Sequence, residues 1–194
     1  MRKKAKKYNF DPDHIAVIGT SAGGHLAAML GTSGGVGALE GDLGQYKSVS
    51  SRVQCVVDLF GPTDLLAMSS YPSQMDHDAP NSPESMLVGG AIQKNKDAAR
   101  NASPITYVST DDPPFLLIHG TADPLVPFNQ SERLHKALKK AGVESSLITM
   151  QGGGHGGFRS PAYRERIRRF LDRHLRGEGD RLSDETIGGG NPQR

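Results

Sequence analysis

Four short apolar runs, rich in β-branched residues, recur along the chain. They are HIAVIG at 14–19, VQCVVDLFG at 53–61, PPFLLIHG at 113–120 and SLITMQGGGH at 146–155. Apolar residues follow one another in these runs without strict alternation, which is typical of strands covered on both faces. The pattern therefore predicts a parallel sheet of about four strands flanked by helices, an α/β fold.

Helical spacing of apolar residues lies between and after these runs. It predicts helices over 22–31 and 129–141, the second of which ends before Gly142. A third helix is predicted after the fourth run, where Ser160-Pro161 has the form of an N-cap followed by proline at the first helical position.

Two segments lack such periodicity. Residues 62–112 are rich in Pro, Ser, Asn and Asp, apart from a helix predicted near 85–89. This segment follows a strand end, where open α/β sheets bind ligands, so it is predicted to form a lid or pocket wall. Residues 177–194 hold almost no apolar residues and are predicted to be a disordered tail. The remaining residues, 1–176, are predicted to form one α/β domain.

Charge and composition exclude several classes of function. The formal net charge of +2 over 194 residues is too small for electrostatic binding of nucleic acid, so no nucleic-acid partner is expected. No apolar run approaches the roughly 20 residues that a membrane span requires, which predicts a soluble protein without a membrane partner. The single cysteine, Cys55, lies in an apolar run and is interpreted as a small buried residue. No His or Cys pair has the spacing of metal ligands, so no metal is expected.

The stretch GTSAG, residues 19–23, interrupts the first strand pattern just before the first helix pattern. It matches G-x-S-x-G, in which a strained strand-to-helix turn presents the serine oxygen above a sheet. The pentapeptide alone is a weak signal in a chain with 24 glycines, and Ser21 could instead be a helix N-cap. An N-cap does not explain the flanking glycines, so the nucleophile interpretation is preferred.

A serine nucleophile requires a histidine base and an acid that orients it. Asp123 follows the third strand pattern and His155 follows the fourth, which gives the chain order Ser, Asp, His. Asp64, after the second strand pattern, is the alternative acid. We therefore predict a catalytic triad of Ser21, Asp123 and His155.

The other histidines are interpreted differently. His119, at the end of an apolar strand, is expected to be a hydrogen-bonded structural residue, and His25, one turn after the serine, is expected to pack near the pocket. His135 and His174 fall within predicted helices, far from any site.

Four segments together resemble a known family. They are DPDHIAVIGTSAGGHLAAML at 11–30, ASPITYV at 102–108, PPFLLIHGTADPLVPFNQSERLHKALKKAG at 113–142 and GGGHGGF at 152–158. In these residues the chain resembles the α/β-hydrolase carboxylesterases, in particular bacterial esterases related to hormone-sensitive lipase and to carbohydrate acetyl or feruloyl esterases. The resemblance extends over nearly the whole chain up to the tail.

The resemblance implies an activity and assigns site residues. It implies a serine hydrolase that cleaves carboxylic esters with short acyl groups, with a small-molecule ester as substrate and no cofactor. The matching positions make Ser21 the nucleophile, Asp123 the acid and His155 the base. The backbone N–H of Ala22 would donate to the oxyanion. A peptidase of the prolyl-oligopeptidase type shares this order of residues and remains the alternative hydrolase.

The chain departs from the family at its front. Members resemble one another in having four more strands before the serine, with an HGGG-type loop that completes the oxyanion hole. We therefore expect a fragment of a longer esterase or a truncated reading frame, in which the first strand is an exposed apolar edge that can promote homo-oligomers. A non-catalytic remnant is the remaining alternative. The compartment stays open, because a signal peptide could precede this sequence.

Overall fold

In the described part of the chain, five parallel strands form one sheet, and their spatial order is their order in the sequence. The computed structural model describes residues 1–188. The strands are β1 (Ala16–Thr20), β2 (Cys55–Leu59), β3 (Phe115–Gly120), β4 (Ser145–Gln151) and β5 (Glu185–Gly188). The prediction of a parallel α/β sheet is confirmed, with one strand more than the four expected.

Seven α-helices occur within residues 1–188. They are α1 (Ala5–Tyr8), α2 (Ala22–Thr32), α3 (Gly37–Glu40), α4 (Pro83–Val88), α5 (Lys96–Asn101), α6 (Asn129–Lys140) and α7 (Ala162–Arg176). Short 3-10 helices lie at Arg2–Lys4, Leu65–Ser70, Ile92–Lys94 and Pro104–Tyr107. No helix in this part of the chain combines the length and apolarity needed to cross a bilayer.

Two apolar clusters cover the two faces of the sheet. Alternate residues of β2 and β3 point to opposite faces, because the side-chain period of a strand is two. One cluster joins Cys55, Val57 and Leu116 to Phe170 of α7. The other joins Val56, Phe115 and Leu117 to residues of α2 and α6. The result is a three-layer sandwich in which both central strands are buried from end to end.

The segment predicted as a disordered tail contains a strand, so that prediction is wrong for residues 185–188. Leu182 is buried in the cluster around Phe170, and β5 pairs with β4. The Asp184 carboxylate accepts the N–H of Leu147 at 3.0 Å. The polar composition of residues 177–194 gives no sign of this strand, because the strand is held by ladder hydrogen bonds to β4 and by one buried leucine. Residues 189–194 of the predicted tail lie outside the described part.

The start of α7 also differs slightly from the prediction. Pro161, not Ser160, occupies the N-cap position, and the helix begins at Ala162. The Ser160 hydroxyl oxygen still accepts the N–H of Ala162, at 3.3 Å. The serine therefore satisfies a first-turn donor from one position further out.

At the opposite side of the sheet, β1 is an edge strand. Within residues 1–188 its ladder partner is β2 alone. Ile18, in the middle of β1, is 49% exposed. The predicted exposed apolar edge is therefore present.

Candidate active site

Ser21 occupies a strained turn between β1 and α2. Its φ of 54° and ψ of −124° lie outside the regions that residues with a side chain usually adopt. The N–H of Ser21 donates to Leu59 O of β2 at 2.9 Å, which anchors the turn on the neighbouring strand. The Ser21 side chain makes no capping hydrogen bond to α2. An N-cap role therefore does not account for this serine.

The glycines near Ser21 have different functions. A Cβ on Gly19 would lie 1.9 Å from the carbonyl oxygen of Gly23, so β1 and α2 can approach this closely only if residue 19 has no side chain. A Cβ on Gly23 would meet nothing within 4 Å, whereas one on Gly24 would lie 2.3 Å from Asp58 Oδ1. Of the two glycines that flank the turn, Gly19 thus has to lack a side chain and Gly23 does not.

Asp123 and His155 meet Ser21 at the carboxyl ends of the strands. The Ser21 hydroxyl donates to His155 Nε2 at 2.8 Å. The His155 Nδ1–H donates to Asp123 Oδ2, also at 2.8 Å. Asp123 follows β3 and His155 lies in the glycine-rich loop after β4. The structure therefore brings together the three residues predicted from the sequence.

The carboxylate of Asp123 is held in its charged form. Burial alone would raise the pKa of Asp123, but hydrogen bonds from His119, His155 and two backbone N–H groups outweigh it and hold the pKa below its ordinary value. The backbone donors are Leu125 and Val126, at 2.8 and 2.9 Å from Oδ1. A buried carboxylate that stays ionised can orient an imidazole and balance a positive charge on it.

The alternative acid, Asp64, has another partner. Its Oδ2 accepts hydrogen bonds from Arg133 Nη2 at 2.6 Å and Arg133 Nε at 2.9 Å. Asp64 thus joins the 3-10 helix at Leu65–Ser70 to α6, whereas His155 is hydrogen bonded to Asp123.

The other histidines are placed as expected. His25 Nε2 lies 2.7 Å from Ala102 O, which ties α2 to the irregular segment. His135 is hydrogen bonded to Ser145 and Asp184 near the opposite edge of the sheet. His174 Nε2 of α7 lies 3.4 Å from Glu144 Oε1. The buried His119 lies beside Asp123, with 3.2 Å between Nε2 and Oδ2.

A cavity of about 430 Å³ opens beside Ser21 and His155. Its wall is mostly apolar, and it is lined by Ala22, His25, Leu26, Pro62, Leu65, Met75, His77, Pro83, Glu84, Leu87, Leu125 and Val126. Seven of these twelve residues belong to the irregular segment 62–112, which is therefore a pocket wall as predicted. Ala22 is the first residue of α2, where backbone N–H groups have no acceptor within the helix.

A protein-family model described as BD-FAE matches residues 1–138, more than half of the chain. The chain belongs to the BD-FAE family. Among curated relatives, Esterase LipQ of Mycobacterium tuberculosis (strain ATCC 25618 / H37Rv) is 31% identical over 81% of this chain. Esterase LipC of the same organism is 31% identical over 80%. The BD-FAE chain spans 36% and 38% of these two proteins, so it corresponds to about a third of each.

Solved structures also resemble the BD-FAE chain. A truncated form of a carbohydrate esterase from gut microbiota superposes with a TM-score of 0.81 and 37% identity, over 90% of this chain and 64% of that one. The propionate-bound esterase Est2 of Thermogutta terrifontis superposes with a TM-score of 0.67 and 28% identity, over 92% of this chain and 63% of that one. The fold is that of the α/β-hydrolase esterases.

Sequence reasoning missed one polar pair in the cavity wall of the BD-FAE chain. His77 and Glu84, both buried, approach with 3.2 Å between Nδ1 and Oε1. Burial raises the pKa of Glu84, but His77 and neighbouring polar groups outweigh it and lower the pKa overall. These residues lie in an aperiodic segment, and no spacing in the sequence marks them as partners.

Proposed function

We propose that this chain hydrolyses carboxylic esters with short acyl groups through an acyl-enzyme. The observation that carries the proposal is the continuous series of hydrogen bonds from Ser21 through His155 to Asp123, with 2.8 Å at each step. The series ends at the wall of a cavity of about 430 Å³. Similarity to named esterases supports ester hydrolysis as the reaction.

In the first half-reaction Ser21 Oγ attacks the ester carbonyl carbon while its proton passes to His155 Nε2. The carbonyl oxygen becomes an oxyanion, to which the N–H of Ala22 donates. Collapse of the tetrahedral intermediate breaks the bond to the alkoxy oxygen, and His155 gives the proton to the departing alcohol. Water then repeats the sequence on the acyl-enzyme, which releases the carboxylic acid and restores Ser21.

Asp123 supports both halves of this cycle. Its Oδ2 accepts the Nδ1–H of His155, so Nε2 is left free to take the proton of Ser21. Its negative charge stabilises the imidazolium that forms in each half-reaction. The mostly apolar wall of the cavity and its volume of about 430 Å³ support a small-molecule ester whose acyl group is short and apolar.

The test is hydrolysis of p-nitrophenyl acetate and p-nitrophenyl butyrate by the purified chain and by Ser21→Ala. We expect Ser21→Ala to lower kcat/KM by roughly a thousandfold or more. Ser145→Ala is the matched control, because Ser145 also bonds a histidine at 2.8 Å but lies away from the cavity. Equal rates in the chain and in Ser21→Ala would refute the proposal and favour a non-catalytic remnant.

Peptide substrates separate the esterase from the peptidase alternative. A p-nitroanilide of a short peptide should be cleaved far more slowly than the p-nitrophenyl esters. A peptidase would instead cleave the anilide in a reaction that is likewise lost in Ser21→Ala.

A further inference from the structure

A second histidine contacts the acid of the proposed triad. His119, at the end of β3, is fully buried, and its Nε2 lies 3.2 Å from Asp123 Oδ2. That oxygen is the same one that accepts the Nδ1–H of His155. His119 Nε2 also lies 2.9 Å from Val126 O, and His119 Nδ1 lies 2.7 Å from Ser131 Oγ of α6.

The partners of His119 select one tautomer. The carbonyl oxygen of Val126 can only accept a hydrogen bond, so the proton must sit on Nε2. Nδ1 is then an acceptor, which the Ser131 hydroxyl satisfies as donor. The imidazole therefore directs its Nε2–H toward Val126 O and Asp123 Oδ2.

We infer that His119 is a positioning residue for the proposed reaction, acting through Asp123, with Val126 O placing its proton on Nε2 and the Ser131 hydroxyl holding Nδ1. The Nε2–H of His119 fixes Oδ2 where the Nδ1–H of His155 reaches it, and draws part of the negative charge away from His155. The hydrogen bonds then run from Ser131 through His119, Asp123 and His155 to Ser21. The inference rests on the proposed function, since it takes His155 as the base.

Loss of the His119 N–H should shift the pH dependence of the proposed reaction in one direction. The titratable side chains that contact Asp123 are His119 from β3 and His155 from the loop after β4. Without the His119 N–H, the Asp123 carboxylate accepts one hydrogen bond fewer and attracts a protonated His155 more strongly. The acid limb of the pH profile of kcat/KM should therefore move to higher pH, an effect that a merely structural histidine would not have.

The experiment measures kcat/KM for p-nitrophenyl acetate against pH in His119→Phe and His119→Gln. In His119→Phe the midpoint of the acid limb should rise by roughly half a pH unit or more, and kcat/KM at the plateau should fall by roughly tenfold. His119→Gln supplies an amide N–H and should bring the midpoint back toward that of the parent chain. If His119→Phe does not fold, Ser131→Ala decides, with a smaller shift in the same direction.

His135→Phe is the matched control. His135 has the same kind of partners, with Ser145 Oγ 2.8 Å from Nδ1 and Asp184 Oδ2 3.2 Å from Nε2, but it lies outside the cavity. The His135→Phe substitution should lower the stability of the chain without moving the acid limb of the pH profile. An unmoved midpoint in the folded His119→Phe, or an equal shift in His135→Phe, would overturn the inference.

A second readout works without turnover. In a chain labelled with ¹⁵N-histidine, nuclear magnetic resonance titration follows the imidazole of His155 directly. The midpoint of the His155 titration should move to higher pH when His119→Phe is introduced into Ser21→Ala. If esters are not hydrolysed, the proposed function fails while this titration still supports or refutes the role of His119.

Discussion

The phenyl ring of Phe60 stands edge-on to the imidazole of His155, with ring centroids 4.7 Å apart and ring planes at 63°. Phe60 follows β2 and has a φ of 47°, a left-handed conformation that costs energy for a residue with a side chain. The chain therefore maintains backbone strain at the residue that packs on the imidazole. Strain of this kind is concentrated at functional sites.

Replacing Phe60 by alanine or by glycine tests separately the effect of the ring on activity and the effect of the backbone strain on stability. Both variants remove the ring and should lower kcat/KM for p-nitrophenyl acetate by roughly tenfold, because His155 loses a packing surface. Phe60→Gly should be the more stable of the two by about 1 kcal/mol in urea denaturation, since glycine adopts this φ without steric cost. Unchanged kcat/KM in both variants would mean that hydrogen bonds alone hold the imidazole.

The glycines at the serine turn should respond in opposite ways to alanine. Gly19→Ala places a methyl group 1.9 Å from a backbone carbonyl oxygen, which cannot move without separating β1 from α2. A loss of about 3 kcal/mol or more, or failure to fold, is expected. Gly23→Ala meets open space in a helix and should raise stability by up to about 1 kcal/mol. Thermal unfolding of both variants measures their stabilities. A Gly19→Ala chain more stable than the Gly23→Ala chain would contradict the prediction.

The sheet and the three central site residues were predictable because local signals specify them. Continuous apolar runs mark β2 and β3, which are buried on both faces. A strained turn requires a small residue such as Gly19 beside Ser21, and parallel strands bring Asp123 and His155 to the same edge. Chemistry that requires particular residues at strand ends leaves a pattern in the sequence.

Features held by distant contacts were not predictable in this way. The strand β5 has a polar sequence and depends on the ladder with β4 and on burial of Leu182. The His77–Glu84 pair depends on how an aperiodic segment folds over the cavity. The contact between His119 and Asp123 was missed because a buried strand histidine carries no signal of its partner.

Leu182 tests whether the carboxyl-terminal segment contributes to stability. Leu182 is 7% exposed and packs in the cluster that contains Phe170. Leu182→Ala should lower the free energy of unfolding by about 2–3 kcal/mol, measured by urea denaturation. Leu43→Ala is the matched control, because Leu43 is 94% exposed and its loss should change little. Equal stability of both variants would mean that the segment is not docked in solution.

Asp58 predicts an unusual pH dependence of stability. Asp58 lies in strand β2 and is fully buried, and its Oδ1 accepts the N–H of Gly61 at 2.9 Å. Its Oδ2 meets no hydrogen-bond partner within residues 1–188. Burial raises the pKa of Asp58 to about 7, against an ordinary value of 3.8, although the Gly61 N–H lowers it in part.

The raised pKa fixes the sign of the effect. Between about pH 4 and pH 7 the folded chain holds the Asp58 proton and the unfolded chain does not, so this residue's contribution to stability falls as pH rises and is constant above about pH 7. The total loss is as much as about 4 kcal/mol. Asp58→Asn cannot ionise, so the variant should gain stability relative to the parent chain from pH 5 to pH 8, measured by urea denaturation at each pH. Asp180→Asn, at an exposed position, should run parallel to the parent chain. A constant difference between Asp58→Asn and the parent chain across this range would contradict the prediction, because Asp58 would then carry the same charge in the folded and unfolded chains throughout the range.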